Sequence, residues 1–173
     1  MVAHLLHSSP IGCNAFLGGI LRNYDSNLLL SATSPYSVIE ADEYDRSFHH
    51  LSPHIAVVTS TDPDHLDIYG NEENYLESFA HFTSLINPGG FLLMHTGMKL
   101  IPRVNDGVEI FSYSSSEEGD YHANNIRHES GHLFFDFVAP DTTITDIELG
   151  VPIDINIDNA VAAIAIAHRL GVD

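Results

Sequence analysis

The chain has 173 residues, with 6 Lys or Arg against 24 Asp or Glu, and its formal net charge at pH 7 is −18. A surface this acidic repels phosphate backbones, which argues against nucleic acid as a partner. The single cysteine, Cys13, excludes an internal disulfide framework and fits a reducing cytosol, and no apolar run is long enough to span a membrane.

The first part of the chain predicts strands that alternate with helices. Residues 1–7 resemble the end of a helix, and apolar runs predict strands at residues 28–30, 36–40, 55–60, 91–94 and 109–113. A helix is predicted over residues 72–86, because Asn71 can cap it and apolar residues recur every three or four positions. A helical turn is predicted near residues 98–104. Before the first strand, the pair Gly18-Gly19 indicates either a simple turn or a loop whose backbone approaches a ligand.

The pattern changes near residue 120. Residues 121–128 and 132–138 flank a Glu-Ser-Gly turn, which predicts a β-hairpin, and residues 142–149 predict a third antiparallel strand. A helix follows over residues 156–170 and ends at Gly171. This order predicts an α/β fold, with a mostly parallel sheet and flanking helices plus a small antiparallel sheet. We expect a single domain over residues 1–173, comprising an α/β layer (1–119), the antiparallel sheet (120–150) and a C-terminal helix (156–171).

Acidic residues follow two of the predicted strands. The first cluster holds Glu40, Asp42, Glu43 and Asp45, and the second holds Asp62, Asp64, His65 and Asp67. Ligands of open α/β sheets lie beyond the carboxyl ends of the strands, so the clusters would meet if the strands were neighbours. Carboxylates with one imidazole favour a hard divalent ion such as Mg²⁺, with Glu40 as the best-placed oxygen ligand. Solvated acidic loops, or a metal-dependent hydrolase, would explain the same residues.

Two asparagines open the last predicted helix. Asn156 suits the N-cap position, and Asn159 lies three residues further on, so their amides can lie close together. An amide can bind the edge of adenine, although plain helix capping is the better explanation of the pair when it is considered alone.

Together these motifs resemble the Mur ligase family of ATP-dependent, amide-forming enzymes of peptidoglycan synthesis. The segments that carry the resemblance are Glu-Ala-Asp-Glu-Tyr-Asp from Glu40, Asp-His-Leu-Asp around His65, and Asn-Ile-Asp-Asn from Asn156 to Asn159. They come in the family's order and at roughly its spacing. The resemblance implies the central, ATP-binding domain, which has a P-loop-type α/β fold.

The resemblance also implies roles for individual residues. Glu40 and His65 match the family's catalytic magnesium residues, and Asn156 and Asn159 match its adenine contacts, so ATP and Mg²⁺ are the implied cofactors. The motifs are most similar to those of members that join L-alanine to UDP-N-acetylmuramate in the bacterial cytoplasm. Members that recycle a tripeptide onto the same sugar nucleotide are the alternative.

The chain departs from the family pattern in three respects. No segment matches the Gly-x-x-Gly-Lys-Thr phosphate loop, and Ser60 and Ile155 stand where relatives often carry Asn and His. The family's UDP-binding and C-terminal domains find no match either. We therefore expect a truncated piece of a ligase, without the first strand and phosphate loop, that is inactive alone.

Overall fold

A computed structural model describes residues 1–116, 118–151 and 153–172. The chain divides into two compact units, one of residues 1–41 with 163–173 and one of residues 42–162. None of the described helices is long and apolar enough to cross a membrane.

The first unit is built on a three-stranded sheet beside a short helix, α1 (Val2–His7). Its strands are β1 (Asn14–Leu21), β2 (Ser26–Leu29) and β3 (Ser37–Ile39), in the order β2-β1-β3. β1 pairs antiparallel with β2 and parallel with β3. Small and apolar side chains fill its core: Ala3, Leu6, Cys13, Ala15, Leu29 and Ala167. Burial in this core raises the pKa of the Cys13 thiol, so the residue is a structural apolar side chain rather than a reactive one.

The second unit contains a six-stranded sheet. Its strands, in spatial and sequence order, are β4 (Ile55–Val58), β5 (Phe91–His95), β6 (Glu109–Ser114), β7 (Tyr121–Glu129), β8 (His132–Val138) and β9 (Thr143–Leu149). The pairs from β4 to β7 are parallel, and β7 to β9 are antiparallel. The α/β class and the antiparallel pairing of the last three strands are thus confirmed.

Those three antiparallel strands do not form a sheet of their own, because β7 also pairs in parallel with the end of β6. The carboxylate of Asp120 accepts hydrogen bonds from the backbone N–H and the hydroxyl of Ser112, both at 2.8 Å. These bonds hold the start of β7 beside β6, so the antiparallel strands continue the parallel sheet.

Helices of the second unit cover part of this sheet. A 3₁₀ segment (Tyr44–His50) and α2 (Leu66–Tyr69) precede α3 (Glu72–Ser84). The last helix, α4 (Ile155–Arg169), has its first residues in the second unit and the rest in the first. Asn71 caps α3 as predicted, since its side chain accepts the N–H of Asn74 at 2.8 Å. Phe79 and Phe82 are buried on the face of α3 that packs against Phe48 and Leu92.

The helical turn predicted near residues 98–104 is wrong. This segment has no regular structure, and side-chain bonds to α3 fix it instead. Thr83 Oγ1 accepts the N–H of Arg103 at 2.8 Å, and Asn105 donates to the carbonyls of Ser84 and Ile86. The Thr83 hydroxyl also donates to the Arg103 carbonyl at 3.3 Å, so one side chain satisfies both backbone groups of Arg103, and Asn105 satisfies carbonyls at and just beyond the end of α3.

Candidate functional site

Glu40 lies immediately after β3 in the first unit and is exposed. Its backbone N–H donates to the Phe16 carbonyl at 3.2 Å, which continues the pairing with β1. Its carboxylate turns back over the same strand, where Oε2 accepts the N–H of Gly18 at 2.8 Å. One oxygen of an exposed carboxylate is therefore oriented by the backbone, an arrangement that suits a ligand for a hard cation.

His65 lies in the second unit, directly before α2, and its backbone is left-handed (φ 52°, ψ 38°). Its Nε2 is 3.6 Å from Glu43 Oε1 and 3.9 Å from Asp64 Oδ2, and its ring packs edge-on against Tyr44. Six other non-glycine residues among those described also have a positive φ, and histidine adopts this conformation more readily than most residues. The imidazole is thus held between acidic and aromatic side chains.

The premise that Glu40 and His65 follow neighbouring strands is wrong. β3 pairs with β1 in the three-stranded sheet, whereas β4 pairs with β5 in the six-stranded sheet. β3 is an edge strand of its own sheet, and its hydrogen-bonded neighbour is β1. The roles of the two residues stay predictions.

Several of the neighbouring acids shape the local backbone. Asp42 Oδ1 accepts the N–H of Tyr44 at 2.9 Å, Asp64 Oδ1 accepts the N–H of His65 at 2.7 Å, and the Ser60 hydroxyl donates to Asp62 at 3.0 Å. The Asp42 bond forms an Asx turn, and the Asp62 N–H, which donates to the Ser60 hydroxyl at 2.9 Å, forms the corresponding serine turn. Among the described residues, no group of three or more His, Cys, Asp or Glu side chains is placed to hold a metal ion.

Both asparagines lie inside the first turns of α4. Because the helix begins at Ile155, Asn156 is a helical residue rather than the predicted N-cap. Its side-chain amide donates to the Val151 carbonyl at 3.4 Å, whereas Asn159 is exposed. The amide of Asn156 points back along the chain, whereas Asn159 faces outward.

An acid between the two asparagines forms a network that sequence reasoning missed. Asp158 Oδ1 accepts the backbone N–H of Ser115 at 2.5 Å, and Oδ2 accepts its hydroxyl at 3.1 Å. The Nε2 of His95 lies 3.1 Å from Oδ1, while its Nδ1 lies 2.8 Å from the Thr96 carbonyl. The Asp158 side chain is 17% exposed. It therefore fixes the first turn of α4 to the carboxyl ends of β5 and β6.

The same carboxylate affects a buried tyrosine of β6. Burial raises the pKa of the Tyr113 phenol well above its usual range, and the charge of Asp158 raises it further. Tyr113 also packs edge-on against the His95 ring, with 5.3 Å between ring centroids. The phenol thus stays protonated and acts as a wall of this network rather than as an acid or base near neutral pH.

An open groove of about 350 Å³ runs beside the network, a volume within the range typical of ligand pockets. Met94 and His95 of β5, Met98 and Pro102 of the following segment, and Phe111 of β6 contribute to its walls. Ser112 and Asp120 add polar groups, so the second unit offers a groove of mixed polar and apolar character beside His95.

Comparison with known proteins identifies relatives over the whole chain. A family model described as the Mur ligase middle domain matches residues 20–167, a range that runs through both units. The chain is 60% identical to the UDP-N-acetylmuramate–L-alanine ligase of Phocaeicola vulgatus and 59% identical to that of Parabacteroides distasonis. Each match covers 99% of this chain and 37% of the relative, so the chain spans about 37% of the length of these relatives.

Solved structures share the fold at lower identity. The UDP-N-acetylmuramate:L-alanyl-gamma-D-glutamyl-meso-diaminopimelate ligase of Neisseria meningitides superposes with a TM-score of 0.82 at 22% identity, and the match covers 99% of this chain and 57% of that one. The UDP-N-acetylmuramate-alanine ligase of Thermotoga maritima superposes with a TM-score of 0.76 at 24% identity, and the match covers 99% of this chain and 37% of that one. A further Thermotoga maritima ligase, solved in complex with ADP, superposes with a TM-score of 0.70 at 16% identity, and the match covers 99% of this chain and 43% of that one.

Proposed function

The chain belongs to the Mur ligase family, and from this premise we propose that it is the ATP-binding middle domain of an enzyme that joins L-alanine to UDP-N-acetylmuramate. The observation that carries the proposal is 60% identity, over 99% of the chain, to a ligase of that name. The family match runs through both units, which supports treating residues 1–173 as parts of one domain. Because the relatives are bacterial, we place the enzyme in the bacterial cytoplasm, in peptidoglycan synthesis.

In the proposed reaction, the carboxylate of UDP-N-acetylmuramate accepts the γ-phosphoryl group of ATP. The amine of L-alanine then attacks the acyl phosphate, the amide forms and phosphate leaves. Bound Mg²⁺ would supply positive charge where negative charge accumulates on the transferring oxygens. The residues of this chain would orient ATP and the substrate carboxylate relative to one another.

We assign Glu40 and His65 to the Mg²⁺·ATP site. The donor chemistry fits at Glu40, because Mg²⁺ prefers oxygen ligands and the backbone already orients this carboxylate. Mg²⁺ is usually held by only one or two carboxylates together with phosphate oxygens, so three clustered protein ligands are not required. An imidazole nitrogen is a poorer ligand for Mg²⁺, so the support for His65 is its position in the matching motif and the carboxylates of Glu43 and Asp64 near its ring.

We assign Asn156 and Asn159 to adenine recognition. The exposed amide of Asn159 can donate to and accept from the edge of a base. The similar fold of a Thermotoga maritima ligase solved with ADP supports a nucleotide as the ligand. The amide of Asn156, which faces the Val151 carbonyl at 3.4 Å, would have to rotate to reach a base.

The proposed function is tested on the complete protein that carries this sequence. Incubation with UDP-N-acetylmuramate, ATP, Mg²⁺ and L-alanine should yield the alanylated sugar nucleotide, detected by mass spectrometry, together with ADP. Parallel reactions offer the tripeptide in place of L-alanine, or a phosphate ester with no ligase substrate. Preference for the tripeptide would identify the recycling ligase, and metal-dependent ester cleavage without ligation would identify a hydrolase.

The residue assignments are tested in the same assay. Glu40→Ala and His65→Ala should each lower turnover roughly a hundredfold or more. His50→Ala is the control for His65→Ala, because His50 is an exposed histidine that follows the first acidic cluster and matches no metal residue of the family. Near-normal turnover in the Glu40 or His65 variant, at unchanged Mg²⁺, would reject the role of that residue.

A further inference from the structure

The pair Gly18-Gly19 lies in the middle of β1 rather than in the turn or loop that the sequence predicts. Glycine weakens a strand interior, because it adds conformational freedom and no packing side chain. The pairing with β2 shifts register between Phe16 and Leu21, so the glycines coincide with an irregularity of the strand. Neither glycine has a positive φ, so backbone conformation does not explain the choice of residue.

The two glycines differ in what a side chain would meet. A Cβ atom added at Gly18 would lie 3.3 Å from Oε2 of Glu40 and 3.5 Å from its Cδ and Oε1. A Cβ atom added at Gly19 would meet nothing within 4 Å. Only Gly18 therefore has a steric reason to lack a side chain, and that reason is the carboxylate of Glu40.

The backbone of Gly18 also forms a hydrogen bond with the carboxylate of Glu40. Its N–H donates to Oε2 of Glu40 at 2.8 Å, and the Glu40 N–H donates to the Phe16 carbonyl, two residues earlier in the same strand. One segment of β1 thus fixes both the backbone and the side chain of Glu40. An exposed glutamate otherwise samples many rotamers, and ordering it at the moment of binding costs free energy.

We infer that Gly18 is a positioning residue for the metal-binding carboxylate of Glu40. The inference rests on the proposed function, in which Glu40 is a Mg²⁺ ligand. A methyl group at residue 18 would displace the carboxylate by a few tenths of an ångström, and Mg²⁺ requires near-ideal octahedral geometry. Changes to groups that orient metal ligands typically weaken metal affinity roughly 10- to 100-fold.

The test compares Gly18→Ala with Gly19→Ala in the complete protein. Mn²⁺ binding in the presence of a non-hydrolysable ATP analogue is measured by electron paramagnetic resonance, and melting temperature is measured on the same samples. Gly18→Ala should raise the Mn²⁺ dissociation constant roughly 10-fold or more, and Gly19→Ala should leave it near that of the parent. Both melting temperatures should stay at or above the parent value, because alanine reduces the freedom of the unfolded chain.

Glu40→Gln separates the inference from the proposed function. If Glu40→Gln weakens Mn²⁺ binding while Gly18→Ala binds like Gly19→Ala, Gly18 has no positioning role and the assignment of Glu40 stands. If Glu40→Gln binds Mn²⁺ normally, both are rejected. In the Glu40→Gln background, Gly18→Ala should add no further loss, since Gly18 acts through that carboxylate. A further loss there, or a melting temperature well below that of Gly19→Ala, would show a structural role and overturn the inference.

Discussion

Replacing Asp158 with alanine removes the carboxylate that ties the first turn of α4 to the ends of β5 and β6. The side chain accepts from the Ser115 N–H, the Ser115 hydroxyl and the His95 ring at 2.5, 3.1 and 3.1 Å. A hydrogen bond to a charged group contributes about 1.5–3 kcal/mol, and the three contributions do not add because they share one carboxylate. The lost negative charge in the first turn of a helix costs about 0.3–1 kcal/mol more.

From these contributions we expect Asp158→Ala to lower the free energy of unfolding by about 2–4 kcal/mol. In a chain of this size, each kcal/mol shifts the melting temperature by roughly 2–4 °C, so the midpoint should fall by roughly 4 °C or more. Differential scanning calorimetry measures the shift. In the complete protein the Michaelis constant for ATP should rise as well, because Asn156 and Asn159 are carried on the same turn.

The matched control is Asp154→Ala. Asp154 also pairs with a histidine, His128, at 3.3 Å, but its side chain is 81% exposed. An exposed pair of this kind contributes about 0–1 kcal/mol. A melting curve of Asp158→Ala that coincides with that of Asp154→Ala would refute the anchoring role of the network.

Three further predictions concern other parts of the chain. Burial lowers the pKa of His49, and the hydrogen bond to the Ser78 carbonyl opposes this shift only in part. Smaller lowering contributions come from the charges of nearby basic side chains, so the folded state favours the neutral ring. Stability should therefore decrease as the pH falls below about 6.5, more steeply in the parent than in His49→Gln, and equal slopes in melts between about pH 8 and pH 5 would contradict this. Asn159→Ala should weaken ATP binding by about 1–3 kcal/mol with little change in melting temperature, and intact discrimination against GTP would make Asn159 only a helix residue. Gly90→Ala should destabilise the protein by about 1–3 kcal/mol or more, because the added Cβ atom would lie 1.9 Å from the His54 carbonyl oxygen. The Cβ atom of a Gly150→Ala control would have no atom within 4 Å, so this variant should have the melting temperature of the parent.

Elements with a strong local pattern were predictable from the sequence. The helix after Asn71 has a cap, acidic residues in its first turn and regularly spaced apolar residues, and the structure places it at Glu72–Ser84. The hairpin of β7 and β8 and the final helix follow in the same way from alternation and from an alanine-rich run. In these segments local propensity and burial favour the same structure.

Other features depend on contacts between distant residues. β1 escaped prediction because Gly18-Gly19 resembles a turn, and the continuation of the parallel sheet into β7 depends on Asp120 reaching back to Ser112. The Asp158 network joins residues 43 and 63 positions apart, a pairing that no single-sequence pattern signals. Residue type and order identify Glu40 and His65 as motif residues. They do not predict the hydrogen bond from Gly18 to the Glu40 carboxylate or the left-handed backbone of His65.

The most direct test of the central claim exchanges domains between relatives. These 173 residues replace the matching region of the Phocaeicola vulgatus ligase, to which they are 60% identical, and an otherwise identical chimera carries Glu40→Ala. We expect the first chimera to form the alanylated sugar nucleotide from ATP, L-alanine and UDP-N-acetylmuramate, and the second to be impaired roughly a hundredfold or more. A soluble, cooperatively melting chimera that ligates no L-alanine, or one whose Glu40→Ala form is fully active, would contradict the account.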